Sequence, residues 1–227
     1  MRSPGLLFAF ALICSTTLFA EVRTPDKALC SVCVLRGGET EQEKVRAHSE
    51  HADKAYYFCS VECKKEFDLD PVAYLPPVLP RPAPAFAVEM LKGGDRRLED
   101  LREKVVLVDF WATWCTPCTK IMPRLQKLYN AHAGKGFEVL GVSIDEGKDR
   151  LRKIGRTLKK LDVAYPIALD AKQTPAWHMF KVKALPAMYL LDSDGQIVAQ
   201  WTGEIDLSAV EAEVVRRLGE HVEADRK

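Results

Sequence analysis

The hydrophobic pattern changes period at one point, and the elements on either side follow from that change. Val105-Val106-Leu107-Val108 opens an apolar, β-branched run that continues through Asp109-Phe110-Trp111-Ala112, the mark of a strand buried on both faces. Beyond it, Ile121, Leu125 and Leu128 recur at four- and three-residue steps, which predicts an amphipathic helix. Residues 137–144 form a second apolar strand ending at Asp145. Residues 148–161 place Leu151, Ile154, Leu158 and Leu161 at helical spacing, with basic residues between them on a solvated face. Residues 188–192 and 196–202 read as two strands turned by Ser193-Asp194-Gly195, and residues 207–218 as a last helix presenting Val210, Val214 and Leu218 on one side. Upstream, residues 86–101 read as a hairpin turned at Gly93-Gly94-Asp95 plus a short connector. Strands alternating with helices predict an α/β fold around a central sheet.

The pattern divides the chain. Residues 1–20 carry Arg2, an apolar stretch from Leu6 to Ile13 and a small residue at Ala20, which predicts a signal peptide and export. An uncleaved anchor is the alternative; the run is short for a span and is interrupted by Ser15-Thr16-Thr17. Residues 28–75 form a small unit in which an aromatic strand, Tyr56-Tyr57-Phe58, leads into a helix capped by Ser60. Residues 76–84 hold five prolines and predict a semi-rigid spacer outside any ladder. Residues 85–220 carry the α/β domain.

Composition narrows the partners. The 227-residue chain has a net charge of +1 with 29% charged residues of mixed sign, which points away from nucleic acid.

Seven cysteines are present. Removal of the signal peptide takes Cys14 and leaves three close pairs: Cys30/Cys33, Cys59/Cys63 and Cys115/Cys118. The last pair stands where the buried strand hands over to the helix. Unpaired N–H groups and the positive end of the helix dipole favour a thiolate there. Cys115 is therefore expected to be the exposed nucleophile, and Cys118, one turn on, the thiol that closes a disulfide onto it. Pro117 suits the first helical turn. A structural disulfide, or half of a zinc site, is the alternative.

The segment Asp109-Phe110-Trp111-Ala112-x-Trp114-Cys115-x-Pro117-Cys118, with Pro123 beyond it, resembles the thioredoxin superfamily, and within it the TlpA/ResA-type thiol–disulfide oxidoreductases held outside the cytoplasmic membrane. The resemblance implies a thioredoxin-like fold, a central mixed sheet flanked by helices, and disulfide exchange without a cofactor. It implies roles for three further places. Pro186, in Val182-Lys183-Ala184-Leu185-Pro186, matches the family's cis-proline, so that Leu185 would pair with an extended substrate. Asp109 matches a buried acid below the second cysteine, able to take the proton of Cys118. Trp114 and Trp111 flank the site and shape it, and Trp114, with Leu185, is expected to bind the substrate. One position departs: ResA-type members carry a glutamate three residues after the second cysteine, where this chain has Ile121. No histidine precedes Cys118, which favours a reductase recharged by a membrane-embedded thiol reductant over an oxidant.

The smaller unit, with Cys30-x-x-Cys33 and Tyr56-Tyr57-Phe58-Cys59-Ser60-Val61-Glu62-Cys63 leading to Asp70-Pro71-x-x-Tyr74, resembles YHS/TRASH-type metal-binding modules. After Cys33 comes Val34-Leu35, where many members have Gly-Met. Four thiolates suit tetrahedral Zn²⁺ or Cu(I); two structural disulfides are the other reading. His48 and His51 lie between the pairs and could replace a sulfur; solvated residues on a charged loop are the favoured reading. The function expected is an exported, periplasmic or outer-face reductase of protein disulfides, among them the cysteines of metalloproteins awaiting assembly, with a metal-binding module attached. A metal chaperone or sensor using Cys115/Cys118 as ligands is the alternative, and a peroxide reductase a third.

Overall fold

The computed structural model describes residues 24–36, 41–170 and 174–224; the expected signal peptide lies outside them. The first unit starts with β1 (Lys27–Ala28), α1 (Ser31–Leu35) and β2 (Glu43–Lys44), the two strands pairing antiparallel. A hairpin follows, β3 (Ala47–His51) with β4 (Lys54–Phe58), and then α2 (Val61–Leu69) and a 3-10 turn, Pro71–Tyr74. Ser60 caps α2 by accepting from Cys63 N at 3.1 Å. The core of the unit is small: Cys30, Val32, Phe58, Cys63, Phe67 and Tyr74. Phe67 is its hub, with ring centroids 5.0 Å from Tyr56 and 5.1 Å from Phe58. A core of this size needs a further staple.

The second unit is built from β5 (Arg81–Pro82), β6 (Ala87–Met90), β7 (Asp95–Arg97), β8 (Val105–Trp111), α3 (Thr116–His132), β9 (Phe137–Ser143), α4 (Arg150–Leu161), β10 (Ile167–Leu169), α5 (Ala176–Met179), β11 (Ala187–Leu191), β12 (Gln196–Thr202) and α6 (Leu207–Ala224). Eight strands form one mixed sheet in the order β5-β12-β11-β8-β9-β10-β6-β7. β8, β9 and β10 run parallel, and the remaining pairings are antiparallel. Every residue of β8 and β9 is buried, as continuous apolar runs at the centre of a covered sheet require. Alternation splits β8 between two cores. Val105, Leu107 and Trp111 face Leu125, Val210 and Val214 of α3 and α6, whereas Val106, Val108 and Phe110 face Phe86, Phe180 and Tyr189.

The proline-rich segment differs from a free spacer. Arg81 and Pro82 pair with Ile197 and Gln196 at the edge of the sheet, the place where a strand proline costs no ladder bond. Nor does the segment hold the first unit apart. Lys181 Nζ lies 3.2 Å from Asp70 Oδ1, and Lys183 Nζ lies 5.5 Å from the centroid of the Tyr74 ring. Among the described residues no helix is long and apolar enough to cross a membrane.

Candidate functional site

β8 ends at Trp111, and four residues later Cys115 is the N-cap of α3. Its Sγ accepts from Cys118 N at 3.2 Å, so one of the orphan donors of the helix start is spent on the sulfur. Cys115 and Cys118 are joined by a disulfide, and Pro117 sits in the first turn, where no N–H is missed. Cys115 is less open than expected. It is 6% exposed and Cys118 is fully buried, because the disulfide folds back among the side chains of the core that holds Trp111 and Met122. What remains accessible belongs to Cys115.

A cleft of about 580 Å³ opens onto that sulfur. Trp114, Cys115, Thr116 and Pro117 form one side, and Val182, Lys183, Ala184 and Leu185 the other, with Ile144 and Trp177 closing it. Trp114 is 67% exposed, a large apolar surface at the rim. Leu185 precedes Pro186, which is buried, and the bond between them is cis. The Pro186 carbonyl accepts from Gly203 N at 2.9 Å, which ties this loop to the end of β12.

Two acids with no place in the cysteine motif hold the walls. Asp145, buried after β9, accepts from Thr113 N at 2.8 Å, from Thr113 Oγ1 at 2.5 Å and from Ser143 Oγ at 2.9 Å. It clamps the loop that presents Cys115. Asp170 accepts from Ala176 N at 2.7 Å and Trp177 N at 2.8 Å, and so sets α5 and the Trp177 ring against the cleft. Burial raises its pKa against the pull of those two N–H groups. An acid at the end of a predicted strand was the available signal at Asp145; no local pattern marked Asp170.

Asp109 is fully buried on β8, and burial pushes its carboxyl up to about 7. Alternation puts it on the same side of the sheet as Trp111 and the disulfide.

The other four cysteines converge in the first unit. Cys30 and Cys33 bracket the start of α1, and Cys59 and Cys63 bracket the start of α2. Their sulfurs all lie within 4.8 Å of one another, with Cys33 3.5 Å from Cys59 and 3.8 Å from Cys63, and Cys59 3.9 Å from Cys63. A tetrahedron with metal–sulfur bonds of about 2.3 Å has sulfurs about 3.8 Å apart, so the cluster fits a four-thiolate ion. Burial, then the neighbouring sulfurs, push the Cys33 thiol far up, and burial leads in pushing Cys59 up to about 12. At Cys30 burial acts in the same sense, but N–H groups of Cys59, Cys33 and Val32 bring the thiol below its usual value. His48 and His51 lie on β3, outside this set.

Comparison with known proteins agrees with this geometry. Residues 79–200 match the model of the AhpC/TSA family. The thiol-disulfide oxidoreductase ResA of a Bacillus cereus strain is 37% identical over 122 residues, 54% of this chain and 68% of the relative. ResA of Geobacillus kaustophilus is 33% identical over 129 residues, 57% of this chain and 72% of the relative. Among solved structures, the thioredoxin domain of a thiol-disulfide oxidoreductase from Bacteroides vulgatus superposes with a TM-score of 0.53 at 32% identity, covering 61% of this chain and 99% of that one. A thiol:disulfide interchange protein of the thioredoxin family from Chlorobium tepidum gives 0.54 at 22% identity, over 63% and 99% of the two chains, and shares the fold. With a buried redox pair at a helix start and a thioredoxin-like sheet behind it, the chain belongs to the AhpC/TSA family and is a thiol–disulfide oxidoreductase of the ResA type.

Proposed function

We propose that the protein is an exported reductase of protein disulfides with a metal-binding module in front. The observation that carries the reading is that, of the disulfide pair, Cys115 and not Cys118 lines a cleft whose other side is the segment Val182 to Leu185 before Pro186. An extended substrate chain laid along Leu185, under Trp114, brings its disulfide to Cys115. The Cys115 thiolate attacks one substrate sulfur to form a mixed disulfide, and the substrate S–S bond breaks as the other substrate sulfur leaves as a thiolate. Cys118 then attacks Cys115, its proton passing to Asp109, and the substrate sulfur held on Cys115 leaves as a thiolate. The disulfide left on the enzyme is returned to the dithiol by a membrane-embedded thiol reductant.

Cys30, Cys33, Cys59 and Cys63 would hold Zn²⁺ or Cu(I), which staples the first unit; the redox step needs no cofactor. The spacing of the four sulfurs supports this assignment. Cysteines of metalloproteins awaiting assembly are the substrate class that the pairing of modules favours.

The test is capture of partners with Cys118→Ser from cells that export the protein. Mixed disulfides on Cys115 with exported proteins are expected. Absence of any trapped partner, together with faster consumption of hydrogen peroxide than of a protein disulfide, overturns the reading.

A further inference from the structure

Four buried polar atoms on one face of the sheet have no protein partner among the described residues: both carboxyl oxygens of Asp109, Trp111 Nε1 and the Tyr165 hydroxyl. They belong together. Asp109 is paired with Gly141 across β8 and β9. A Cβ at Gly141 would lie 3.0 Å from Tyr165 Cε2 and 3.3 Å from Trp111 Nε1. The phenol ring and the indole nitrogen therefore converge on the space that Gly141 leaves beside the acid. The tyrosine is fastened there. Gln126 Oε1, on the helix that carries Cys118, accepts from Ala164 N at 2.6 Å and Tyr165 N at 3.0 Å, and Gly141 N donates to Pro166 O at 2.9 Å. A phenylalanine would fill the same apolar volume without the cost of burying a hydroxyl.

We propose that Tyr165 is a positioning residue for the proton that Asp109 exchanges with Cys118. The inference rests on the reading of Asp109 as the base for that thiol. A hydroxyl both donates and accepts, and an indole N–H only donates. Toward ionised Asp109 both groups can donate through a buried water; toward the protonated acid the hydroxyl turns to accept. During resolution the Cys118 S–H bond breaks and its proton goes to Asp109. The Cys118–Cys115 bond forms as the bond from Cys115 to the substrate sulfur breaks, and that sulfur leaves with the electron pair. Tyr165 stabilises the carboxylate before the transfer, so the acid is ready to receive the proton near neutral pH.

The experiment titrates the carbonyl infrared band of protonated Asp109, identified by its loss in Asp109→Asn, in reduced full-length protein. Tyr165→Phe is expected to raise the midpoint by roughly one pH unit. Gly141→Ala, whose Cβ would meet Ile167 Cδ1 at 2.7 Å and Tyr165 Cε2 at 3.0 Å and so displaces both side chains beside the acid, should shift it in the same direction and serves should the first variant not fold. The pH profile of single-turnover release from the Cys115 mixed disulfide should move with it. An infrared midpoint that stays in place overturns the role of Tyr165, leaving it a packing residue whose loss only lowers the melting temperature. A release profile that Asp109→Asn does not alter removes Asp109 as the base, a failure of the parent reading that shows even where the infrared midpoint moves.

Discussion

Lys183 lies between Tyr74 and the active-site cleft: its ammonium is 5.5 Å from the centroid of the tyrosine ring, and the residue itself lines the cleft wall facing Cys115. Tyr74 in turn donates to Glu66, which also pairs with Arg36, the residue that closes the short helix α1 behind Cys33. The metal-type cluster and the cleft are thus joined through side chains, one ring and one cation apart. The joint is light. The Lys181–Asp70 pair is half exposed, worth about 0–1 kcal/mol, and an exposed cation–ring contact adds about 0.5–1 kcal/mol. Replacing both lysines by alanine should speed hydrogen exchange at residues 70–75 while leaving the melting of the larger unit in place. Unchanged exchange at those residues would show that other contacts hold the two units together.

Because Cys115 alone opens onto the cleft, iodoacetamide at mildly acidic pH should label it in the reduced protein well ahead of Cys118. The measurement is mass spectrometry of the labelled peptide over time. Equal rates would reverse the assignment of attacking and resolving thiols.

Pro186→Thr should prolong mixed disulfides or weaken their capture, with the fold kept, since the residue is buried at the end of the cleft wall and its carbonyl already bonds Gly203 N. Stopped-flow reduction of a protein disulfide checks this. Kinetics identical to those of the parent chain would remove the Leu185–Pro186 segment from the substrate path.

Stability should fall with rising pH through a defined window. Burial moves the Asp109 carboxyl from 3.8 to about 7. Between those values the folded chain keeps a proton that the unfolded chain has released, so stability is full below about pH 4 and is lost as the pH climbs to 7, by a total on the order of 4 kcal/mol. Asp109→Asn lacks this loss. Denaturant unfolding of both proteins at about pH 4.5, near the foot of that window, and at about pH 8, above it, should show the variant gaining on the parent at the higher pH.

Metal removal should unfold one part of the chain. The first unit has a core of six buried residues, two of them cysteines of the cluster, and a structural four-thiolate ion supplies about 10–16 kcal/mol of folding free energy. A strong chelator should abolish the calorimetric transition of residues 24–75, expose four thiols and leave the larger unit folded. A transition that resists chelation, with the four cysteines in disulfides, would make this a disulfide-stapled unit.

Much of this was legible where a local pattern and its burial coincide. The run from Val105 to Trp111 demanded a strand covered on both faces, and every one of its residues is buried. Ser60 was readable as a cap because the donor it satisfies, Cys63 N, is three residues away. What escaped was decided by strand order. Arg81 and Pro82 become a strand only because β12 offers them an edge, and no local pattern announces that. Trp177 enters the cleft because Asp170 holds its N–H. Nothing local marks Tyr165; its ring comes beside Asp109 only where Gly141 pairs with that acid across β8 and β9.

The burial of Cys118 behind Cys115 has a consequence for damage. An oxidant diffusing into the cleft meets one sulfur and not the other. The sulfenic acid it leaves on Cys115 condenses with the thiol waiting beneath, expels water and closes the same disulfide that a productive cycle leaves. Any reductant able to open the Cys115–Cys118 disulfide would then erase the injury, before a second oxidising hit can make it permanent.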